Sequence, residues 1–84
     1  MKQYFITVRS VTYAQRGERL LTKSGIRCAI QRTPKWMEEQ GCGYCLRVWT
    51  KDIRSAMHIL REAQLPLRKL YAQTPEGKLE ELVL

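Results

Sequence analysis

Four stretches of this chain alternate apolar and polar residues with a period of two, and a helical stripe follows the first and the third. That pattern restricts the fold more than any other feature. Residues 3–9 place Tyr4, Ile6 and Val8 on one side and Phe5 and Thr7 on the other, which predicts a strand. Ser10 then offers a helix N-cap, with Val11, Ala14, Leu20 and Leu21 as the apolar stripe behind it. Gly17 inside that helix gives up about 1 kcal/mol of helix propensity relative to alanine, so close packing on the sheet is its expected use. Gly25 supplies the C-terminal stop.

Residues 26–32 alternate again, with Ile26, Cys28 and Ile30 on one face. Residues 33–41 begin with a Thr-Pro step and are too short for more than a turn of helix, so a loop of functional character is expected there. Residues 43–49 form the third strand, with Tyr44, Leu46 and Val48 opposite Cys45, Arg47 and Trp49. Asp52 caps a second helix whose buried stripe is Ile53, Ala56, Met57, Leu60 and Ala63, and Pro66 ends it. Residues 67–73 make a fourth strand and 74–77 a turn. The remaining tail reads as a short fifth strand or a helical end.

This order predicts an α+β domain of the ferredoxin-like β-α-β-β-α-β kind, an antiparallel sheet with both helices on one face. Residues 1–84 are one domain, with a tail from about 74. The core then contains the even-numbered residues of the first and third strands with Ile26, Cys28 and Ile30. The other face is expected to stand open, showing Phe5, Thr7, Ala29, Gln31, Cys45, Arg47 and Trp49.

Eighty-four residues bury only about 60–65% of their unfolded surface, which leaves no room for a deep, enclosed active site. The net charge of +7 is uneven: residues 1–75 carry fourteen basic and five acidic side chains, and residues 76–84 are acidic on balance. A basic body suits nucleic acid, an acidic partner protein or small anions. The N-terminal stretch lacks the uninterrupted apolar run of a signal peptide, and no segment approaches a membrane span. A cytoplasmic location with reduced thiols is expected, and three cysteines suit a disulfide scaffold poorly.

The thiols carry most of the chemical interest. A redox C-x-x-C works where a helix starts, but here a strand follows Cys45. Zinc would need Cys28, Cys42, Cys45 and His58, yet alternation separates Cys28 from Cys45 and sets His58 on the outer side of the second helix, so no metal site is expected. Cys28 reads as a small core hydrophobe. Cys42 differs, because it stands between Gly41 and Gly43 at the junction of loop and strand. Glycine N–H groups there could steady a thiolate or persulfide, helped by Arg32, Lys35 or Arg47. Glu38 and Glu39 act against ionisation.

Ser10, Ala14, Glu18, Leu20-Leu21, Gly25-Ile26, Cys28, Thr33-Pro34, Cys42-Gly43 and Arg47 together give the chain its resemblance to a family of small bacterial proteins, the selenium/sulfur carrier-like domains, over about residues 4–48. Cys45 departs from the family pattern, which favours a small or aliphatic residue. The resemblance implies a carrier or thiol-dependent accessory protein. In it Cys42 would accept sulfane sulfur or selenium from a donor protein and pass it to an acceptor, with Cys28 or Cys45 as resolving thiol. No standing cofactor is implied, only a transient persulfide or selenide adduct on the cysteine.

A different class also fits. RNA-recognition domains share this strand order and stack bases on sheet aromatics. Residues 42–49 partly echo their signature, although Cys42 replaces its basic residue and Leu46 its second aromatic. A single-stranded nucleic-acid module would use Phe5, Arg47 and Trp49 on the open face. The same face, through Phe5 and Trp49, is also suited to a homodimer interface. The chain offers no Ser/His/Asp set, carboxylate pair or phosphate loop for an enzyme.

Overall fold

The computed structural model describes residues 2–33 and 43–83. The elements are β1 (Lys2–Val8), α1 (Val11–Lys23), β2 (Arg27–Arg32), β3 (Tyr44–Thr50), α2 (Ile53–Glu62), β4 (Leu67–Gln73) and β5 (Leu79–Leu82). They form a five-stranded sheet in the order β2-β3-β1-β4-β5, with antiparallel neighbours throughout. The α+β class and the sequence of the first six elements are as expected. The tail resolves as a strand, which extends the sheet beyond β4 and moves the edge from β4 to β5.

Both helices start and stop where their residues dictate. The Ser10 hydroxyl accepts the Tyr13 N–H, and the Asp52 carboxylate accepts the Arg54 N–H at 3.0 Å, each satisfying a donor the first turn leaves orphaned. Hydrogen bonds to Arg54, first from its side chain and then from its backbone, hold the Asp52 carboxyl below the usual range. At the other end of α1, Ile26 N–H reaches Leu21 O at 2.9 Å and Gly25 N–H reaches Thr22 O at 3.0 Å, with Gly25 at φ +80°. This paired closure needs the left-handed conformation that glycine adopts without steric cost. α2 ends the same way, through Leu65 N–H to Leu60 O and Gln64 N–H to Arg61 O, but Gln64 takes the left-handed position at φ 58°.

Both helices pack on one face of the sheet. Ala14 and Leu21 of α1, with Ala56, Met57 and Leu60 of α2, share a core with Tyr4, Ile6, Val8, Leu46, Val48 and Leu70. Gly17 is the close-approach point: a Cβ there would stand 2.6 Å from Leu46 Cδ1 and 3.4 Å from Leu60 Cδ2. A side chain at this position would have to displace Leu46 for the helix to sit this close to β3. Val11, expected in the stripe, is exposed.

The opposite face is not open as the alternation suggested. Phe5, Cys45 and Tyr71 form a second buried cluster, with Leu79 of β5 packed against it. Phe5 retains 6% of its exposure and Cys45 none, and Thr7 is buried beside them. Period-two alternation separates the faces correctly but cannot tell that β4 and β5 contribute Tyr71 and Leu79 to the second one.

Candidate functional site

The segment expected to carry the chemistry leaves the sheet between β2 and β3. The ladder holds its root: Arg32 pairs with Tyr44, and Thr33 N–H donates to Gly43 O at 3.1 Å. Gly43 lies close under its neighbours, since a Cβ there would meet Thr33 Oγ1 at 3.4 Å and Val8 O at 3.6 Å. Cys42, Gly41 and Lys35 lie outside the described residues, as does the loop reading of residues 34–41. Arg32 is exposed at the root of this segment.

The other two thiols are held in protonated form. Cys28 is half-buried against the helix-side core. Its Sγ donates to Glu18 O at 3.6 Å and lies 3.7 Å from the Thr22 hydroxyl. Burial raises its pKa, and the Thr22 hydroxyl only partly offsets that. Cys45 sits on the other face, opposite Gln31 on one neighbouring strand and Thr7 on the other. Burial also raises its pKa, against smaller opposing effects from Gln31, Thr33 and the Arg47 charge. A thiolate, not a thiol, attacks sulfur, so both sites suppress the reactive form. The sheet lies between the two sulfurs, and among the described residues no group of three or more His, Cys, Asp or Glu side chains converges on a metal position. His58 is exposed on α2, 3.7 Å from Glu62.

Arg47 does not reach out toward solvent as a free cation. Its Nε donates to Gln3 Oε1 at 2.7 Å, and its Nη2 donates to the same oxygen. Its guanidinium lies 5.0 Å from the Trp49 ring centre and 5.6 Å from that of Phe5. Arg27, directly across from Trp49 on β2, stacks on the same indole at 4.6 Å. The result is a column of Arg27, Trp49, Arg47 and Phe5 across the face away from the helices. Of the two residues expected to present an open interface, Phe5 is covered and Trp49 is half-exposed between two arginines. Alternation two residues back from Ala29 puts Arg27 on the same face as Trp49, and the β2–β3 register brings the two together.

Among the described residues, no helix is long and apolar enough to cross a membrane. No curated protein and no solved structure matches the chain. The model of the family described as "Putative Se/S carrier protein-like" matches residues 3–72, from the first strand into the fourth, and the chain belongs to that family.

Proposed function

We propose that the chain is a sulfur or selenium carrier on a ferredoxin-like frame, working through Cys42 with donor and acceptor proteins. The observation that carries this reading is the state of the other thiols. Cys45 has no exposure, Cys28 is half-buried and hydrogen-bonded, and burial pushes both toward the neutral form. Family membership points to sulfur or selenium handling, and Cys42 is the remaining cysteine of the three. Its neighbour Gly43 is pinned to Thr33 by the ladder, so the sheet supplies a fixed base for the segment that carries it.

The exchange needs no outside oxidant. The Cys42 thiolate attacks the outer sulfur of a donor persulfide, R–S–SH, forming a new S–S bond while the old one breaks. Cys42 then carries the persulfide and the donor leaves as R–S⁻. An acceptor nucleophile attacks the outer sulfur in turn and returns the Cys42 thiolate. A donor of the form R–S–SeH delivers selenium by the same route. Cys28 fits the part of resolving thiol better than Cys45, which would first have to be uncovered.

Intact-mass measurement after incubation with a persulfide donor tests this directly. The wild type, Cys28→Ser and Cys45→Ser are each expected to gain one sulfur atom, and Cys42→Ser none. Uptake by Cys42→Ser equal to that of the wild type would refute the assignment.

A further inference from the structure

The Arg27–Trp49 column stands at the opposite end of the β2–β3 hairpin from the Cys42 segment. Arg27 pairs with Trp49 at the near end of the ladder and Arg32 with Tyr44 at the far end, a separation of about 16 Å at strand spacing. The charged end therefore needs an explanation of its own.

The Arg27 side chain is exposed and makes no hydrogen bond or ion pair among the described residues; it stacks on the indole of Trp49. A stacked guanidinium keeps its in-plane N–H donors available and gives up little further freedom when it binds phosphate oxygens. Arg47 is fixed in the layer beneath by Gln3 and the two rings. Because Gln3 uses its oxygen on Arg47, its amide N–H₂ remains available as a donor.

Next to Gln3, a cleft of about 350 Å³ opens between Lys2, Gln3, Gln73, Thr74, Pro75 and Gly77. Gln73 lines the cleft from β4. The row thus presents a fixed cation, a stacked surface and a cleft with an amide donor. Glu81, on the far edge strand, is taken up by Lys69 at 3.4 Å.

We propose that this end of the sheet binds single-stranded nucleic acid, with a phosphate on Arg27 and a base edge in the Gln3–Gln73 cleft. Carboxylates of an acidic peptide would satisfy the arginine but not stack on a guanidinium plane, whereas an unstacked nucleobase does. From β2 to β4 the row crosses three strand spacings, about 14 Å, or roughly four nucleotides at stacked spacing. This differs from an RNA-recognition surface at the sheet centre, because Phe5 and Tyr71 are buried and offer no ring face. The proposal is independent of the thiol chemistry.

Fluorescence anisotropy of a labelled mixed-sequence eight-nucleotide RNA, titrated with the full chain at several salt concentrations, tests it. Binding is expected to fall with salt by about 0.7 log units per tenfold change for each phosphate neutralised. Arg27→Ala should weaken it about tenfold and shallow the slope by one such increment, whereas Arg19→Ala, an exposed change on α1, should do neither. Trp49→Phe, which keeps a ring under Arg27, should retain more affinity than Trp49→Ala at equal helicity by circular dichroism. Cys42→Ser should bind as the wild type does. Absence of binding at low salt, equal affinity for polyglutamate or duplex RNA, or equal losses in Arg27→Ala and Arg19→Ala would each overturn the proposal.

Discussion

The two faces of the sheet come from the same strands and the same alternation, yet they are closed by different means. On the helix side, Tyr4, Ile6, Val8, Leu46 and Val48 meet the apolar stripes of two amphipathic helices. On the other side no helix of the described residues arrives. Phe5, Cys45 and Tyr71 are buried by one another, by Leu79 and by the guanidinium of Arg47, which Gln3 holds in place. The first face is a core in the ordinary sense, where burial area sets the energy. The second is a smaller cluster with Arg47 stacked beside it, and a stacked arginine over an aromatic ring contributes on the order of 1 kcal/mol, more where desolvated.

The largest effects should therefore fall on the helix side. Leu46→Ala removes a fully buried side chain that Gly17 packs against, and a loss of about 3–4 kcal/mol in urea-melt stability is expected. Phe5→Ala should cost less, about 2 kcal/mol, although the residue is larger and a buried phenylalanine in a deep core would cost at least as much as the leucine. The reason is that among the described residues Phe5 packs in a small cluster, Cys45, Tyr71 and Leu79, with no helix behind it. If the two variants lose equal stability, the second face is a full core and the distinction drawn here fails. Gly17→Ala comes next. Helix propensity favours alanine by about 1 kcal/mol, but the added methyl collides with the end of the buried Leu46 side chain. Overpacking of that kind costs about 1–3 kcal/mol, so a net loss near 1 kcal/mol is expected.

What the sequence made legible follows the same division. The four main strands, both helices, the Ser10 and Asp52 caps, the Gly25 stop and the packing role of Gly17 depend on local spacing, and local spacing is visible in a sequence. The even-numbered core on the helix side follows from it directly. The closure of the other face depends on Tyr71 and Leu79, which reach Phe5 and Cys45 through pairings between distant parts of the chain. Nothing in the periodicity of residues 67–83 states which strand they join. The Arg27–Trp49 stack is hidden for a related reason, since it depends on the β2–β3 register. The carrier reading came from a set of residues spread over the chain, none of which was informative alone.

A smaller effect concerns the helix ends. The same two-bond closure ends both helices, but Gly25 fills the left-handed position in α1 and Gln64 in α2. A side chain there costs on the order of 1 kcal/mol. Gln64→Gly should raise stability by about 0.5–1 kcal/mol, and the mirrored Gly25→Gln should lower it by a similar amount. Neither position belongs to either face, so these changes should be the same in a Leu46→Ala or a Phe5→Ala background.

The subtlest test uses the fact that each face holds one thiol. Burial raises the pKa of both Cys28 and Cys45 above the ordinary thiol value of 9.0. Below that value the thiols are protonated in the folded and unfolded chains alike, and the contribution to stability is fully present. As pH climbs past it, the unfolded chain ionises first, so the folded state loses ground until its own thiols titrate. Stability of the wild type, measured by urea melts at increasing pH from neutral into the alkaline range, should fall in part for this reason. Other groups titrate there too, so the informative quantity is the difference in slope between variant and parent. Cys45→Ala should flatten the alkaline decline even though it lowers stability at neutral pH. Cys28→Ala should flatten it less, because the Cys28 sulfur is half-exposed and already leans on Thr22. Equal flattening by the two would mean that the Phe5 face excludes water no better than the margin of the helix side.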